Sequence, residues 1–190
     1  MAGTPTEREI KLRFDNAAAA RAAVLAIGAT PLHSRRLQDD RLFDTEDGAL
    51  GRQRSVLRVR TEDDRSVLTF KGPVQPGPVK IREELETAVA DGAALQLVLA
   101  RLGMKAWFRY QKYREEFRGD GVTLAVDETP VGTFVEIEGT EDGIMAAAAA
   151  MGRAPGDFIL DSYYRLFQTY REALGFRGSD MIFGDLDREP

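Results

Sequence analysis

The chain has 190 residues, with 26 Lys plus Arg against 31 Asp plus Glu and a formal net charge of −5. That length predicts one domain, and an apolar fraction of 43% with 30% charged residues is typical of a globular protein rather than a disordered one. The sequence has no cysteine and a single histidine, His33, which excludes disulfides and cysteine nucleophiles and argues against a histidine-rich metal site.

The succession of strand-like and helix-like segments predicts an α+β domain built on a large antiparallel sheet or barrel with flanking helices. In chain order we expect strand 6–14, helix 17–27 capped by Asp15 or Asn16, strands 32–37, 40–44, 55–61, 66–71 and 79–87, helix 93–102, strands 107–118, 122–127 and 133–139, and helices 142–151 and 162–174. The Gly- and Pro-rich segment 72–78 predicts a loop. The domain is expected to cover residues 1–177, and the acidic segment 178–190 is expected to form a loosely held tail.

Charged residues recur on one face of nearly every predicted strand. Because successive strand residues point to opposite faces, Glu7, Glu9 and Lys11 share a face that excludes Ile10 and Leu12. The same alternation groups the other charged strand residues: Arg58 with Arg60, Lys71, Arg82 with Glu84 and Glu86, Lys112 with Arg114, Asp127, and Glu136 with Glu138. Two interpretations are open. Either the charged faces form a solvated surface over an apolar core, or they converge inside a closed barrel of about eight strands whose apolar faces turn outward.

In the second interpretation, acids and bases line one water-filled bore. Carboxylates are ligands of hard divalent cations, which predicts Mg²⁺ or Mn²⁺ as the cofactor. Arginine forks and lysine ammonium groups bind phosphate oxygens, which predicts a polyphosphate guest. Acids and bases together indicate a metal–phosphate complex rather than a bare anion.

Short motifs in a fixed order resemble the CYTH superfamily, also called the triphosphate tunnel metalloenzymes. The opening Glu7-Arg8-Glu9-Ile10-Lys11 is similar to the family's Glu-x-Glu-x-Lys signature. Further similar segments follow in the family's order: Asp40-Arg41-Leu42-Phe43-Asp44-Thr45, Leu57-Arg58-Val59-Arg60, Thr69-Phe70-Lys71-Gly72-Pro73, Arg82-Glu83-Glu84-Leu85-Glu86, Lys112-Tyr113-Arg114, Asp127, Phe134-Val135-Glu136-Ile137-Glu138 and Ser162-Tyr163-Tyr164. The resemblance spans residues 6–174 and implies an antiparallel tunnel barrel, usually of eight strands, that binds a triphosphate and a divalent metal.

The resemblance also implies roles for individual residues. The metal ligands, some of them through water, are expected to be Glu7, Glu9, Glu86, Asp127, Glu136 and Glu138. The residues expected to bind the triphosphate are Lys11, Arg58, Arg60, Lys71, Arg82, Lys112 and Arg114. Those expected to act in catalysis are Lys112, which helps to activate the attacking water, together with Arg82 and Glu84. Leu42 stands where the family has a tyrosine, which puts the preferred substrate in question.

Three functions are compatible with this pattern. We favour a metal-dependent hydrolase of tripolyphosphate or of an organic triphosphate such as ATP or thiamine triphosphate. The alternatives are a CyaB-like adenylate cyclase, which makes cyclic AMP and pyrophosphate from ATP, and a polyphosphate- or nucleotide-binding module without turnover. The acidic balance disfavours broad nucleic-acid binding, and the lack of a long apolar run argues against a membrane helix. The lack of an export signal predicts a cytoplasmic protein. The sequence leaves open whether the chain forms a homodimer.

Two groups of aromatic residues have alternative interpretations. Trp107, Phe108 and Tyr110 are able to stack on a nucleobase, although aromatic residues at the start of a strand more often pack in a core. The aromatic residues of helix 162–174, which begin with Tyr163 and Tyr164, recur at helical spacing. That spacing predicts that they pack against the side of the barrel rather than form a ligand cage.

Overall fold

The computed structural model describes residues 5–184, and within this range eight antiparallel strands close into a barrel with five α-helices around it. The elements in chain order are β1 (Thr6–Phe14), α1 (Ala17–Ala26), β2 (Thr30–Thr45), α2 (Ala49–Arg52), β3 (Val56–Glu62), β4 (Arg65–Lys71), β5 (Lys80–Val89), α3 (Gly92–Arg101), β6 (Met104–Arg118), β7 (Val122–Thr129), β8 (Gly132–Gly139), α4 (Glu141–Ala150) and α5 (Tyr163–Leu174). Around the barrel the strands follow the order β1-β5-β4-β3-β2-β6-β7-β8 and return to β1. The predicted α+β fold with a closed barrel of about eight strands is confirmed.

The main apolar core lies between the outer face of the barrel and the helices. Ile10 and Leu12 of β1 and Ile137 of β8 are fully buried there, together with Val24 of α1 and Ile144 of α4. The outer apolar faces of β1, β7 and β8 are therefore covered by α1 and α4, and their charged faces point to the interior of the barrel. This arrangement decides between the two interpretations of the charged faces in favour of convergence.

Side-chain caps fix where the longer helices begin. Asn16 accepts a hydrogen bond from the backbone N–H of Ala19 at the start of α1, and Asp91, Thr140 and Ser162 play the same part for α3, α4 and α5. Each cap satisfies a backbone donor that the first helical turn leaves without a partner. The predicted cap of the first helix is thus Asn16, the second of the two candidates.

The structure corrects two predicted elements between residues 32 and 52. The strands expected at 32–37 and 40–44 are one strand, β2, because Gln38 and Asp39 continue its pairing with β6. The helix α2 was not predicted. It forms because the carboxylate of Asp44 accepts hydrogen bonds from the backbone N–H groups of Leu50 and Gly51 at 2.9 Å each.

The expectation of a loosely held tail from residue 178 is wrong for residues 178–184, and residues 185–190 lie outside the described range. Met181 is fully buried, and its backbone exchanges hydrogen bonds with Arg109 and Gln111 of β6 at 2.9 and 2.8 Å. Phe183 lies against the ring of Tyr113 with 5.1 Å between the ring centroids. The acidic composition of the segment hid these anchors. None of the helices in residues 5–184 combines the length and the apolar character that crossing a membrane requires.

Candidate active site

The interior of the barrel holds a charged cavity of about 290 Å³. Its charged lining comes from β1, β3, β4, β5, β6 and β8 and consists of Lys11, Arg58, Arg60, Lys71, Lys80, Arg82, Lys112 and Arg114 with Glu7, Glu9, Glu84, Glu86, Glu116, Glu136 and Glu138. Eight basic and seven acidic side chains nearly cancel, so a highly charged anion would enter with cations of its own. The size is close to that of ordinary small-ligand sites.

One group of charges is fully paired, and we call it the Asp127 cluster: Asp127, Lys112, Arg114 and Tyr163. Lys112 Nζ lies 2.8 Å from Asp127 Oδ2, and Arg114 donates to both carboxylate oxygens at 2.7 and 2.6 Å. The Tyr163 hydroxyl donates to Asp127 Oδ2 at 2.6 Å. The Asp127 side chain has no exposed surface. Its carboxylate is therefore held behind the wall of the cavity by two cations and a phenol.

The pKa values in the Asp127 cluster follow from burial and from these partners. Burial opposes ionisation of Asp127, but Arg114 and Lys112 outweigh it and lower the pKa of that carboxyl. Burial lowers the pKa of Lys112 to about 8, and the neighbouring Arg114 guanidinium acts in the same direction. Burial and the Asp127 carboxylate raise the pKa of the Tyr163 hydroxyl well above its ordinary value. Arg114 and Tyr163 therefore keep fixed protonation states, whereas Lys112 titrates much closer to neutral pH.

The carboxylates of β1 are held by lysine and arginine side chains of β1 itself, β4 and β5. Glu7 pairs with Lys71 Nζ at 2.7 Å and with Arg82 Nε at 3.0 Å. Glu9 pairs with Lys80 Nζ at 2.5 Å and with Lys11 Nζ at 3.3 Å. The register explains these contacts, because Glu7 lies opposite Arg82 and Glu9 opposite Lys80 in the β1–β5 pairing.

Two other carboxylates lack full compensation, and with Glu7 we call them the acidic group: Glu7, Glu84 and Glu138. Burial raises the pKa of Glu84 to about 7, with repulsion from Glu7 adding to the shift and Lys71 opposing it. Enclosure by the barrel wall, followed by repulsion from Glu7, Glu136 and Glu9, raises the pKa of Glu138 to about 7. Glu138 makes no ion pair within residues 5–184. Glu84 pairs with Lys71 at 3.0 Å, but it shares that cation with Glu7, so positive charge on this side of the cavity is shared among several carboxylates.

The two arginines of β3, Arg58 and Arg60, line the cavity and are held in place by neighbouring side chains. Arg60 is held on the buried carboxylate of Asp40 by two hydrogen bonds at 2.9 and 3.1 Å. Arg58 donates through Nη2 to Thr69 and Glu86, and its buried Nε lies 3.6 Å from Asp40 Oδ1. Both guanidinium groups line the cavity, and guanidinium forks are suited to the oxygens of an anionic ligand.

An apolar strip borders the charged lining, and we call it the apolar rim: Leu42, Val56, Trp107 and Tyr164. The rings of Trp107 and Tyr164 meet edge to face with 4.8 Å between their centroids. Phe108 and Tyr110 are buried in the cluster under α5, as the packing interpretation predicts, whereas 43% of Trp107 is exposed.

Residues 5–151 match the model of the CYTH domain. The chain belongs to the CYTH domain family. A Methanocaldococcus jannaschii protein provisionally named as an adenylate cyclase is 27% identical over 133 residues, which are 70% of this chain and 75% of that protein. An X-ray structure of a provisionally assigned adenylate cyclase from Vibrio parahaemolyticus is 20% identical, with a TM-score of 0.75, and the match covers 87% of this chain and 99% of that one.

A third relative carries a described activity. It is a provisionally named adenylyl cyclase from Hippeastrum, described as having a dominant triphosphatase activity, and it is 23% identical with a TM-score of 0.67. The match covers 86% of this chain and 96% of that one. At these identities the two structural matches show that the fold is shared.

The structure places nearly all of the predicted CYTH site residues around the one cavity. Every predicted triphosphate-binding and catalytic residue lines it, as do the predicted metal ligands of β1, β5 and β8. Asp127 is the exception, because it lies behind the lining in its cluster. Glu86 is at the exposed edge, where its carboxylate accepts a hydrogen bond from Thr69 at 2.7 Å. Their roles in binding and catalysis stay predictions.

Two buried residues of the site were missed in the sequence. Lys80 faces the cavity two residues before Arg82, and strand alternation extended by one step would have found it. Asp40 anchors Arg60. The motif Asp40–Thr45 pointed to this residue in the sequence but did not indicate that it binds an arginine. Four of the five lysines of the chain therefore line the cavity, and the fifth, Lys105, pairs with the exposed Glu46.

The oxygen donors of β1 and β8 fit a divalent cation in their chemistry. Glu9 and Glu138 lie directly opposite each other, as do Lys11 and Glu136. Glu138 supplies an oxygen donor without an ion-pair partner in the described chain, next to other carboxylates. Within residues 5–184, however, no three acidic or histidine side chains are already arranged to hold a metal ion. A bound Mg²⁺ or Mn²⁺ would therefore take over carboxylates that lysine and arginine now hold.

Proposed function

We propose that this CYTH protein is a divalent-metal-dependent phosphohydrolase of a triphosphate. The observation that carries the proposal is the convergence of eight basic side chains on one cavity inside the barrel. A triphosphate offers a row of anionic oxygens that matches guanidinium forks and ammonium groups set around a bore. The membership of the family and the triphosphatase activity described for the Hippeastrum relative support the same reading.

The chain's own residues supply binding, orientation and proton transfer. Arg58, Arg60, Lys71 and Lys11 are placed to bind phosphate oxygens, and fixed cations stabilise the charge that builds on the bridging oxygen as its bond to phosphorus breaks. A divalent cation held by Glu9, Glu136 and Glu138, three of the four predicted ligands that line the cavity on β1 and β8, would add neutralisation of the phosphate oxygens and Lewis acidity.

Lys112 is the residue we propose to take the proton from the attacking water. Its Nζ faces the cavity next to Arg114, and Asp127 fixes its position at 2.8 Å. The step starts from the uncharged amine, which the lowered pKa of about 8 makes accessible. As the water oxygen bonds to the terminal phosphorus, its proton passes to Nζ and the remaining diphosphate leaves. Arg114 beside it carries a permanent charge and stabilises the same phosphoryl group.

All three relatives are provisionally named as adenylate or adenylyl cyclases, which keeps cyclisation of ATP as the second candidate. In that reaction the ribose 3′-hydroxyl replaces water as the nucleophile, and pyrophosphate leaves. The cavity binds a triphosphate in either case, so the products decide.

One assay panel tests the proposal. The protein is incubated with tripolyphosphate, ATP or thiamine triphosphate, each with Mg²⁺, with Mn²⁺ or with EDTA, and orthophosphate, pyrophosphate and cyclic AMP are measured. We expect metal-dependent orthophosphate, and its loss in Lys112→Ala but not in Lys105→Ala, a control at an exposed lysine outside the cavity. Formation of cyclic AMP and pyrophosphate from ATP would refute the hydrolase and identify the protein as a cyclase. Tight binding without any product would leave a binding module.

A further inference from the structure

The apolar rim breaks an otherwise ionic lining at one place. Leu42, Val56, Trp107 and Tyr164 line the same cavity as the phosphate-binding cations. Tripolyphosphate is a purely ionic ligand and gains nothing from such a strip. An organic triphosphate with a flat ring is matched by it, because aromatic faces pack on other aromatic faces and on aliphatic side chains.

A β-bulge turns Trp107 toward this cavity. In the pairing of β2 with β6, Leu42 lies opposite Phe108 and Phe43 opposite Ala106, so Trp107 is an extra residue without a partner in the ladder. In a regular strand it would share the outer face with Arg109, since Phe108 and Tyr110 point inward. Bulges re-aim side chains in this way next to binding sites.

The ring is held in place but not covered. Trp107 touches Tyr164 edge to face, and the centroid of its ring is 5.9 Å from that of Phe108. With 43% of its surface exposed, it keeps an area free for contact with a ligand. A large aromatic side chain fixed by its neighbours and still accessible loses little conformational entropy when a ligand stacks on it.

The rim adjoins the cations that we propose bind phosphate. Leu42 lies opposite Arg58 in the β2–β3 pairing, and Val56 lies opposite Lys71 in the β3–β4 pairing. Val56 and Arg58 are two residues apart on one face, a separation of about 7 Å. A ligand whose phosphates contact Arg58 and Lys71 therefore brings its next group to the rim.

From this juxtaposition we propose that Trp107 and the apolar rim form a subsite for the flat heteroaromatic group of an organic triphosphate, and that Trp107 sets the preference for such substrates over tripolyphosphate. The inference rests on the proposed triphosphate site and names the class of its substrate. A nucleobase and the rings of thiamine share the chemistry that the rim recognises.

The chain offers a direct probe, because Trp107 is its single tryptophan. Binding is measured by tryptophan fluorescence with the β,γ-imido analogue of ATP and with diimidotriphosphate, which has three phosphoryl groups and no ring. We expect the ATP analogue to quench or shift the emission and diimidotriphosphate to leave it nearly unchanged. An equal response to both ligands would overturn the subsite.

Variants are compared by calorimetric binding of the same two ligands. Trp107→Ala is expected to weaken the ATP analogue about tenfold, the order of loss that follows truncation of a stacking side chain, and to leave diimidotriphosphate within about twofold. Trp107→Phe should restore most of the affinity. Leu97→Ala removes a side chain of similar apolar character that is 69% exposed on α3, outside the cavity, and serves as the control. Equal losses for both ligands, or none for either, would overturn the proposal.

Turnover separates this inference from the proposed function. Ring-dependent binding without hydrolysis of any triphosphate would refute the hydrolase and leave the subsite standing. If the protein hydrolyses triphosphates but Trp107→Ala changes kcat/KM for ATP and for tripolyphosphate by the same factor, the subsite is refuted and the hydrolase stands. Comparison of ATP, GTP and thiamine triphosphate against tripolyphosphate then identifies the ring: preference for any of them supports the subsite, and preference for none contradicts it.

Discussion

The Asp127 cluster and the acidic group occupy the same barrel but differ in how their charges are balanced. In the cluster, the carboxylate of Asp127 contacts two cations and a hydroxyl, so its charge is fully compensated. In the acidic group, Glu84 and Glu138 crowd Glu7, and the pKa of each is raised to about 7. Burial acts on both regions, so the difference lies in the number of cations nearby.

This contrast separates the charges that stabilise the fold from the charges that are available to bind a ligand. A buried carboxylate with complete partners positions Lys112 and Arg114 and contributes to the architecture of the site. Keeping a carboxylate with a raised pKa ionised costs free energy, and a bound cation removes that cost. Four substitutions break or sharpen the comparison.

Asp127→Ala should have the largest effect, on stability. It leaves the buried cations Lys112 and Arg114 without their shared carboxylate, and breaking a buried pair in this way costs about 3–5 kcal/mol. The free energy of unfolding from urea denaturation measures the loss. Asp47→Ala, which breaks an exposed pair with Arg52, is the control and should leave stability nearly unchanged. A variant as stable as the parent would show that the cluster does not support the fold.

Lys112→Ala should lower kcat about a hundredfold, equivalent to about 2.7 kcal/mol, with a smaller change in KM. The reason is that the amine acts on the attacking water, while several other cations still bind the phosphates. Steady-state kinetics with the best triphosphate of the panel measures both constants. A change confined to KM would make Lys112 a binding residue only.

Tyr163→Phe removes the hydroxyl that donates to Asp127 and keeps the ring, whose centroid lies 4.8 Å from Lys112 Nζ. Hydrogen bonds to charged groups contribute about 2 kcal/mol, so the free energy of unfolding should fall by that amount. Tyr164→Phe is the matched control on the same helix for this stability measurement. Equal effects of the two changes would mean that the contact with Asp127 carries no special weight.

Glu138→Gln should have the smallest effect and appear in the metal requirement. Loss of one carboxylate without an ion-pair partner in residues 5–184 should raise the Mg²⁺ or Mn²⁺ concentration for half-maximal activity about tenfold. Stability should not fall, because the substitution removes a charge that its neighbours repel. An unchanged metal requirement would argue against Glu138 as a ligand.

Strand alternation carried most of what the sequence predicts. Glu7, Glu9 and Lys11 were assigned to one face from spacing of two, and that face does line the cavity. Trp107 could not be placed in this way, because a bulge adds one residue and breaks the spacing. The pairing of Asp127 with Tyr163 joins residues far apart in the chain, so no local pattern contains it.

Composition misled at the end of the described chain. Segment 178–190 carries many acidic residues, which predicts a solvated tail. Met181 and Phe183 nevertheless pack against β6, because two apolar side chains and a few backbone hydrogen bonds are enough to hold a short segment. Average composition cannot detect anchors this sparse.

The segment after α4 has a consequence for the order in which the protein is made. Ile159 exchanges two backbone hydrogen bonds with Lys11 at 3.0 and 2.9 Å, beside the part of β1 that no longer pairs with β5, and Tyr163 follows it on α5. Both lie beyond residue 151, where the match to the family model ends. On the ribosome all eight strands emerge before this segment does. The chamber cannot be complete before this late segment docks, because Ile159 closes the edge of β1 at Lys11, and Tyr163 and Tyr164 form part of the cavity wall.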